Sequence, residues 1–551
     1  MTIRRRDALA LLGLATATPA AAKGGKPGAV KFLHGVASGD PRTDRVILWT
    51  RITPEQPGAQ IAYRWRLNPV DRRAGGAKSG TGVTGPERDY TAKVDVTGLS
   101  PGRAYTYEFE AAGVTSPMGR TSTLPAGPVQ DFVIAFASCS LYPNGYFNAY
   151  QAMADLPRVD LMLHLGDYIY EYGGEKSYGM NSAVAAERPH DPPHECLSLD
   201  DYRRRHAQYK TDPALQAAHA RAPWILAWDD HETANDSYKD GAENHQPAAE
   251  GDWATRKAAA LKAYFEWQPI REPKPGQSLA EAGERSFRIG DLATLVMLET
   301  RLTARTKQLT YEADLPVVDG KAQVEPFLKK WNDPSHRMMS TAQEAWLGRE
   351  LESSVKGGQA WQVIASGVVM GRLKPPNPKR DFTPEQLAGV APATQRRIAR
   401  MQPVADAGLP YGLDMWDGYP ADRERVYDRV KAAQARPIVI SGDSHAFWAN
   451  ELHDAGGKRV ACEFGGTAIT SPGADEAFGF PSGPAFVKAS PEVKFCDQAA
   501  RGFVRLTLRR GEAVGDLMTV STIASKDFKT SVLKSFRITP EGTGLSGLKA
   551  L

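Results

Sequence analysis

The chain has 551 residues and a formal net charge of +4. It is too long for one ordinary hydrophobic core and too nearly neutral for a broad nucleic-acid-binding face. Arg4, Arg5, Arg6 and Asp7 account for +2 of that charge, so the remainder carries only +2, and its composition is that of a soluble globular protein.

The first segment reads MTIRRRDALALLGLATATPAAAKGG. Arginines precede a short apolar run, and Ala20-Ala21-Ala22 precedes Lys23, the pattern of a signal peptide over residues 1–22 with a small-residue cleavage site. Arg5-Arg6 followed by Leu9 resembles the twin-arginine export signal more than a general secretory one. The apolar run is too short to span a bilayer, and no other stretch is a candidate for a transmembrane anchor.

Residues 28–124 read as short strands. VILWTRI, IAYRWRL and AYTYEFEA are β-branched and aromatic; in the last, Tyr105, Tyr107 and Phe109 share one face opposite Thr106, Glu108 and Glu110. The spacing from Leu99 to Tyr105 resembles the tyrosine corner of fibronectin-like sandwiches. A small β-sandwich that braces a larger domain is expected here. TLPAGPVQ (Thr123–Gln130) reads as a linker, and residues 131–540 as an α/β domain, since apolar strands now alternate with helical stretches. Ser340-Thr341-Ala342-Gln343 reads as a capping box, with Trp346, Leu347 and Leu351 at helical spacing behind it.

Within that domain, apolar runs end in reactive side chains. DFVIAFASCSLY leads to Cys139 and Tyr142, LMLHLGDYIYE to Asp167 and Tyr170, and PWILAWDDHETANDSY to Asp229, Asp230, His231 and Asn235. ATLVMLETR leads to Glu299 and Arg301, and RPIVISGDSH to Asp443, Ser444 and His445. Open α/β sheets bind ligands beyond the carboxyl ends of their strands, so these ends are expected to converge on one crevice. Several carboxylates there would repel one another unless a multivalent cation joined them. Thiolate, phenolate and imidazole suit a redox-capable or borderline transition metal, whereas carboxylates suit calcium or magnesium. There is no CxxC pair, which excludes a zinc ribbon. An oxidising compartment would permit a Cys462–Cys496 disulfide, which the sequence does not decide.

From about Phe32 onward the chain resembles a PhoD-type alkaline phosphatase of the wider calcineurin-like and purple-acid-phosphatase class. The resemblance runs through HGVASGDP, VILWTR, FASC, HLGDYIYEYG, DDYRRRHAQYKTDP, WDDHE, WDGYPADRERV, SGDSH and GTAITSPG, in that order. It implies an α/β metallophosphoesterase, a β-sandwich core flanked by helices, with a small N-terminal fibronectin-like sandwich. It also implies an exported phosphatase or phosphodiesterase that cleaves phosphate esters, small or polymeric, by attack of metal-bound hydroxide at an iron(III)–calcium pair. Carried onto this chain, the iron ligands would be Cys139, Asp167, Tyr170 and His445. Asp167 would bridge to calcium, held also by Asp230 and Asp443. A further His ligand of the wider class has no match in WQVIASGVVMG, which favours an all-oxygen second site. His231 would protonate the leaving alkoxide. Arg301 would hold a phosphate oxygen or else pair with Glu299. Asn235 would contact metal or phosphate or else cap a helix. Export of the folded, metal-loaded chain by the twin-arginine translocase would place it in the periplasm or outside the cell.

Other readings stay open at this stage. Phospholipase D-like cleavage would use the same site, Ser444 offers a serine-esterase nucleophile, and a periplasmic binding protein would keep metals without catalysis. RPHDPPHEC (Arg188–Cys196) is expected to be an access loop rather than another metal site. KDFKTSVLKSFRI near the carboxyl end would be a solvated helix or strand, or would cover the site entrance or attract an anionic substrate.

Overall fold

The computed structural model of the chain describes residues 29–71, 75–174, 179, 184–318 and 321–551. The expected signal peptide lies outside them. Strands whose sequence is apolar throughout are buried on both faces: Asp131–Ala137, Leu161–His164, Ala293–Met297, Trp361–Ser366 and Pro437–Ser441. Such runs suit parallel pairing inside a layered protein, where neither face meets water.

These strands form two facing sheets. One runs, edge to edge, Lys549–Ala550, Thr530–Ile538, Glu512–Val520, Arg501–Arg509, Asp131–Ala137, Leu161–His164, Trp224–Leu226, Val36–Gly39, Arg45–Arg51 and Thr91–Thr97. The other runs Arg285–Ile289, Ala293–Met297, Trp361–Ser366, Pro437–Ser441, Arg459–Gly465, Phe447–His453 and Val493–Asp497. Phe132, Ile134, Phe136, Leu161 and Leu163 from the first pack against Leu295, Met297, Trp361, Val363 and Ile440 from the second. The alternate residues face outward under helices. Ala135, Met162 and Trp224 meet Tyr150, Tyr202, Tyr209 and Leu215 on one side. Val296, Ile364 and Val439 meet Leu347, Leu351, Val426 and Val430 on the other. The result is a β-sandwich between two helical layers.

The amino-terminal sandwich is present. Gly119–Ser122, Ala104–Ala111, Ile61–Pro69 and Lys78–Thr84 form its outer sheet, and Tyr105, Tyr107 and Phe109 are buried as their alternation requires. The tyrosine corner closes: the Ser100 backbone N–H donates to Tyr105 Oη at 3.1 Å. The opposing sheet of this sandwich is the end of the ten-stranded sheet itself. Val36–Gly39 pairs in parallel with Trp224–Leu226 through Gly39 and Trp224. A Cβ on Gly39 would lie 2.3 Å from the Pro269 carbonyl oxygen and 2.7 Å from that of Trp224, so only glycine permits this junction.

The helix Thr341–Lys356 begins where expected, but only half of the capping box forms. Ser340 accepts from the Gln343 N–H, while the Gln343 side chain bridges the N–H and C=O of Glu299 at 2.7 and 2.8 Å. All four cysteines are free. Cys462 and Cys496 stand on strands either side of Phe447–His453. Two strand spacings of about 4.8 Å exceed the reach of a disulfide, so that bridge is absent. Among the described residues no helix is long and apolar enough to cross a membrane.

Candidate metal centre

Four of the expected ligands occupy the left-handed backbone region: Cys139 (φ 62°), Asp167 (φ 55°), Asp443 (φ 63°) and His445 (φ 56°). Each follows the end of a buried strand. A left-handed residue turns the chain abruptly and aims its side chain across the sheet edge, at a cost of about 1 kcal/mol or more per residue. Gly166 prepares one such turn with φ 116°, and a Cβ there would lie 2.3 Å from that of Asp229. Strain at four donors around one crevice is the mark of a built site.

The expected donors converge in two groups that share one residue. Single donor atoms of Cys139, Asp167 and His445 all lie within 4.8 Å of one another. Tyr170 Oη joins them, 3.2 Å from Asp167 Oδ2 and 3.3 Å from His445 Nε2. His445 Nδ1 donates to the Pro472 carbonyl at 3.0 Å, which leaves Nε2 for the crevice. Oxygens of Asp167, Asp229, Asp230 and Asp443 form the second group within the same 4.8 Å limit. Asp229 was not among the expected ligands. Its place beside Asp230 at a strand end was the only signal for it. The Trp361–Ser366 strand, which carries no histidine, brings Gly367 against Asp229; a Cβ there would lie 2.8 Å from Asp229 Oδ1.

His231 stands beside both groups, with a ring nitrogen within 4.8 Å of Asp167 and Asp230 oxygens. Its Nδ1 lies 2.7 Å from Glu171 Oε2, and its ring packs on Tyr170 at 4.1 Å between centroids. Three buried glutamates hold the strand ends together by collecting donors. Glu232 accepts from the N–H groups of Asp167, Tyr168 and Asp229 at 2.6–3.1 Å. Glu171 also accepts from Asn235 N–H and Asn244 Nδ2, each at 2.8 Å. Glu463 accepts from Met370 N–H, Gly371 N–H and Ser441 Oγ at 2.7–2.9 Å.

Several expectations change here. Arg301 does not pair with Glu299, whose carboxylate accepts its backbone N–H instead. The guanidinium is fully buried and grips Asp229 through Nε and Nη2 and Asp414 through Nη1. Asp230 and Asp443 lie 3.7 and 3.8 Å away. Four carboxylates enclose it. Asn235 caps no helix; it lies in a turn, and its amide donates to Glu243 on the exposed side at 3.2 Å. Ser444 Oγ accepts from Trp448 Nε1 at 2.8 Å, and His445 turns toward Tyr170, so among the described residues no base serves this serine. The Arg188–Cys196 segment forms a wall: Arg205 Nε and Nη2 donate to the Asp191 and Pro192 carbonyls, and Nη1 to Tyr170 O and Tyr172 O. KDFKTSVLKSFRI does not cover the centre; it leads into the strand Thr530–Ile538, while Ile523 and Ala524 just before it line a cleft beside His445.

Electrostatics test whether cations fit. Burial, then neighbouring carboxylates, pushes Asp167 and Asp443 well above the usual carboxylate range. Burial raises Asp229 to about 6 despite Arg301. Burial also opposes ionisation of Asp230, but Arg301 and His231 outweigh it and hold its pKa low. Burial disfavours a charged His231, yet Glu171, Asp230 and Asp167 raise its pKa well above the ordinary value. Burial lowers His445 to about 3, keeping a neutral imidazole whose Nε2 faces Tyr170 Oη. Asp167 Oδ1 is buried with no hydrogen-bond donor. Arg301, with His231 already paired to Glu171, cannot neutralise four clustered carboxylates, and an orphaned carboxylate oxygen aimed at its neighbours is what a cation would satisfy. The donor set therefore fits a pair of metal ions.

Residues 134–517 match the model of the PhoD-like phosphatase family, and residues 17–125 match that of the PhoD-like phosphatase N-terminal domain. Alkaline phosphatase D of Bacillus subtilis (strain 168) is 32% identical over 527 residues, spanning 93% of this chain and 82% of the relative. The chain is also similar to a solved structure of PhoD, with a TM-score of 0.76 and 32% identity over 96% of this chain and 93% of the other. With the metal-donor geometry, a family match over most of the sequence and a shared fold from end to end, the chain belongs to the PhoD-like phosphatase family.

Proposed function

We propose that the chain hydrolyses phosphate esters at an iron(III)–calcium pair, acting as an alkaline phosphatase or phosphodiesterase in the periplasm or outside the cell after twin-arginine export. The observation that carries this reading is the pair of donor groups joined at Asp167. Cys139, Tyr170 and His445 with Asp167 would hold the iron, since thiolate, phenolate and imidazole favour it. Asp230 and Asp443 with Asp167 would hold calcium, and Asp229 stands beside them as a further oxygen donor. When bound, such a pair supplies an activated water and a clamp for phosphate oxygens. The chain's own groups supply the rest. Glu171 fixes the orientation of His231, whose proton can pass to the leaving alkoxide. Arg301 acts by holding Asp229 and Asp414 in place rather than by gripping phosphate.

Protein purified without chelators is expected to contain iron and calcium and to show a tyrosinate-to-iron(III) absorption band. Tyr170→Phe should abolish that band. Zinc alone, or no metal, in active protein would sink the assignment.

His231→Ala separates acid catalysis from metal binding. An alkyl phosphate ester needs a proton on its leaving oxygen, whereas p-nitrophenolate leaves without one. Turnover of the alkyl ester should fall by about 10²–10³-fold, and that of the p-nitrophenyl ester much less. Equal losses on both esters would show that His231 has another role.

A further inference from the structure

A cleft of about 540 Å³ opens beside His445, lined by Tyr411, Ser444, Glu476, Gln498 and Arg397. Its charged lining residues are Glu476 and Arg397. Glu476 is ion-paired with Arg501. Arg397, on the helix Pro392–Asp406, is exposed. No hydrogen bond or ion pair ties its side chain to any of the described residues. With Glu476 engaged by Arg501, Arg397 is the one charged lining residue without a partner among the described residues. Arg396 and Arg400 extend the charge along the same helix, also exposed and without a carboxylate partner among the described residues. A guanidinium that the protein does not engage keeps its donor fork free for a carboxylate or phosphate. Tyr411, held edge-on to Phe486 at 4.7 Å, gives the same wall an apolar surface on which a short linker can lie.

We infer that Arg397 is a specificity-determining residue that binds a second anionic group on the substrate, so that the cleft selects phosphate esters whose organic part carries its own negative charge. This rests on the phosphoesterase reading of the neighbouring metal centre. A group attached to the scissile phosphorus near His445 would extend into this cleft, and its charge would meet Arg397 rather than solvent.

Two matched diesters test the inference: p-nitrophenyl propyl phosphate and p-nitrophenyl 3-phosphopropyl phosphate. In each, water adds to the same phosphorus, the P–O bond to the aryl group breaks, and p-nitrophenolate is read directly. Wild-type protein should favour the phosphopropyl ester in kcat/KM by roughly tenfold at low salt, mostly through KM, and less so as salt rises. Arg397→Ala should bring the ratio of the two kcat/KM values close to one, and Arg397→Lys should restore part of it. A wild-type ratio near one, or a ratio that Arg397→Ala leaves intact, would overturn the inference while leaving the metal-centre reading standing. Failure of wild-type protein to cleave either diester would overturn the inference, and failure to cleave p-nitrophenyl phosphate as well would overturn the metal-centre reading with it.

Discussion

Asp167→Asn should lower kcat/KM for phosphate esters by about a thousandfold or more while the protein still folds. Asp167 is the one residue common to both donor groups, so its loss weakens both metal positions together. Removal of one well-placed electrostatic contributor in an active site costs about 10²–10³-fold, and a shared ligand should exceed that. Asparagine suits the test because it is isosteric and tolerates the left-handed conformation that Asp167 adopts at φ 55°. Elemental analysis should show both metals depleted. Stability should move the other way once wild type is stripped by chelators. Burial and neighbouring carboxylates hold the folded-state pKa of Asp167 well above its unfolded value. A carboxyl with a raised folded pKa binds protons more readily when folded, so stability falls as pH rises from about 4 through that pKa. The neutral amide escapes this loss. Chelated Asp167→Asn should therefore be more stable than chelated wild type at neutral pH, with the order reversed when metal is restored. A variant that keeps both metals and full turnover would refute the role of Asp167 as the shared ligand.

What the sequence made legible follows from range. A buried run such as LMLHLG announces a strand by itself, and an Asp, Cys or His directly after it marks the ligand end of an α/β sheet. That rule placed Cys139, Asp167, Tyr170, Asp230, Asp443 and His445 at strand ends together with Asp229, Glu299 and Ser444; only the family resemblance singled out the six as ligands, and the structure brings them to one crevice. Tyr105 was equally local, since its bond partner Ser100 lies five residues away. The glutamates were not. Glu232 matters because it ties the loop after Leu161–His164 to the loop after Trp224–Leu226, and no spacing within either loop reveals the other. The union of sandwich and larger layer was hidden for the same reason: it depends on Gly39 meeting Trp224, 185 positions along the chain by their numbering. Gln343 shows the limit from the other side. Its sequence fits a capping box, but a tertiary partner, the Glu299 backbone, takes its side chain.

Arg301 is where sequence and structure differ most, and its substitution should have the largest effect on stability. At a strand end an arginine reads as a phosphate clamp. In the fold its guanidinium is wholly buried, gripping Asp229 and Asp414, with Asp230 and Asp443 within 4 Å. Arg305 shares Asp414, so Asp229 depends on Arg301 more than Asp414 does. Arg301→Met keeps much of the volume and removes the charge. It leaves Asp229 facing other carboxylates with no direct counter-charge, and breaking a buried pair in this way costs about 3–5 kcal/mol, a large share of the roughly 5–15 kcal/mol that hold a typical domain folded. Arg301→Lys should recover only part of this, because an ammonium cannot reproduce the two-point grip on Asp229. Denaturant unfolding of the metal-free proteins measures the effect, and metal titration should show weaker calcium binding in parallel, since Asp229 borders that position. If Arg301 were instead a substrate ligand, Arg301→Met would unfold within about 1 kcal/mol of wild type, the spread expected of a site without buried charge, and the loss would appear in KM alone.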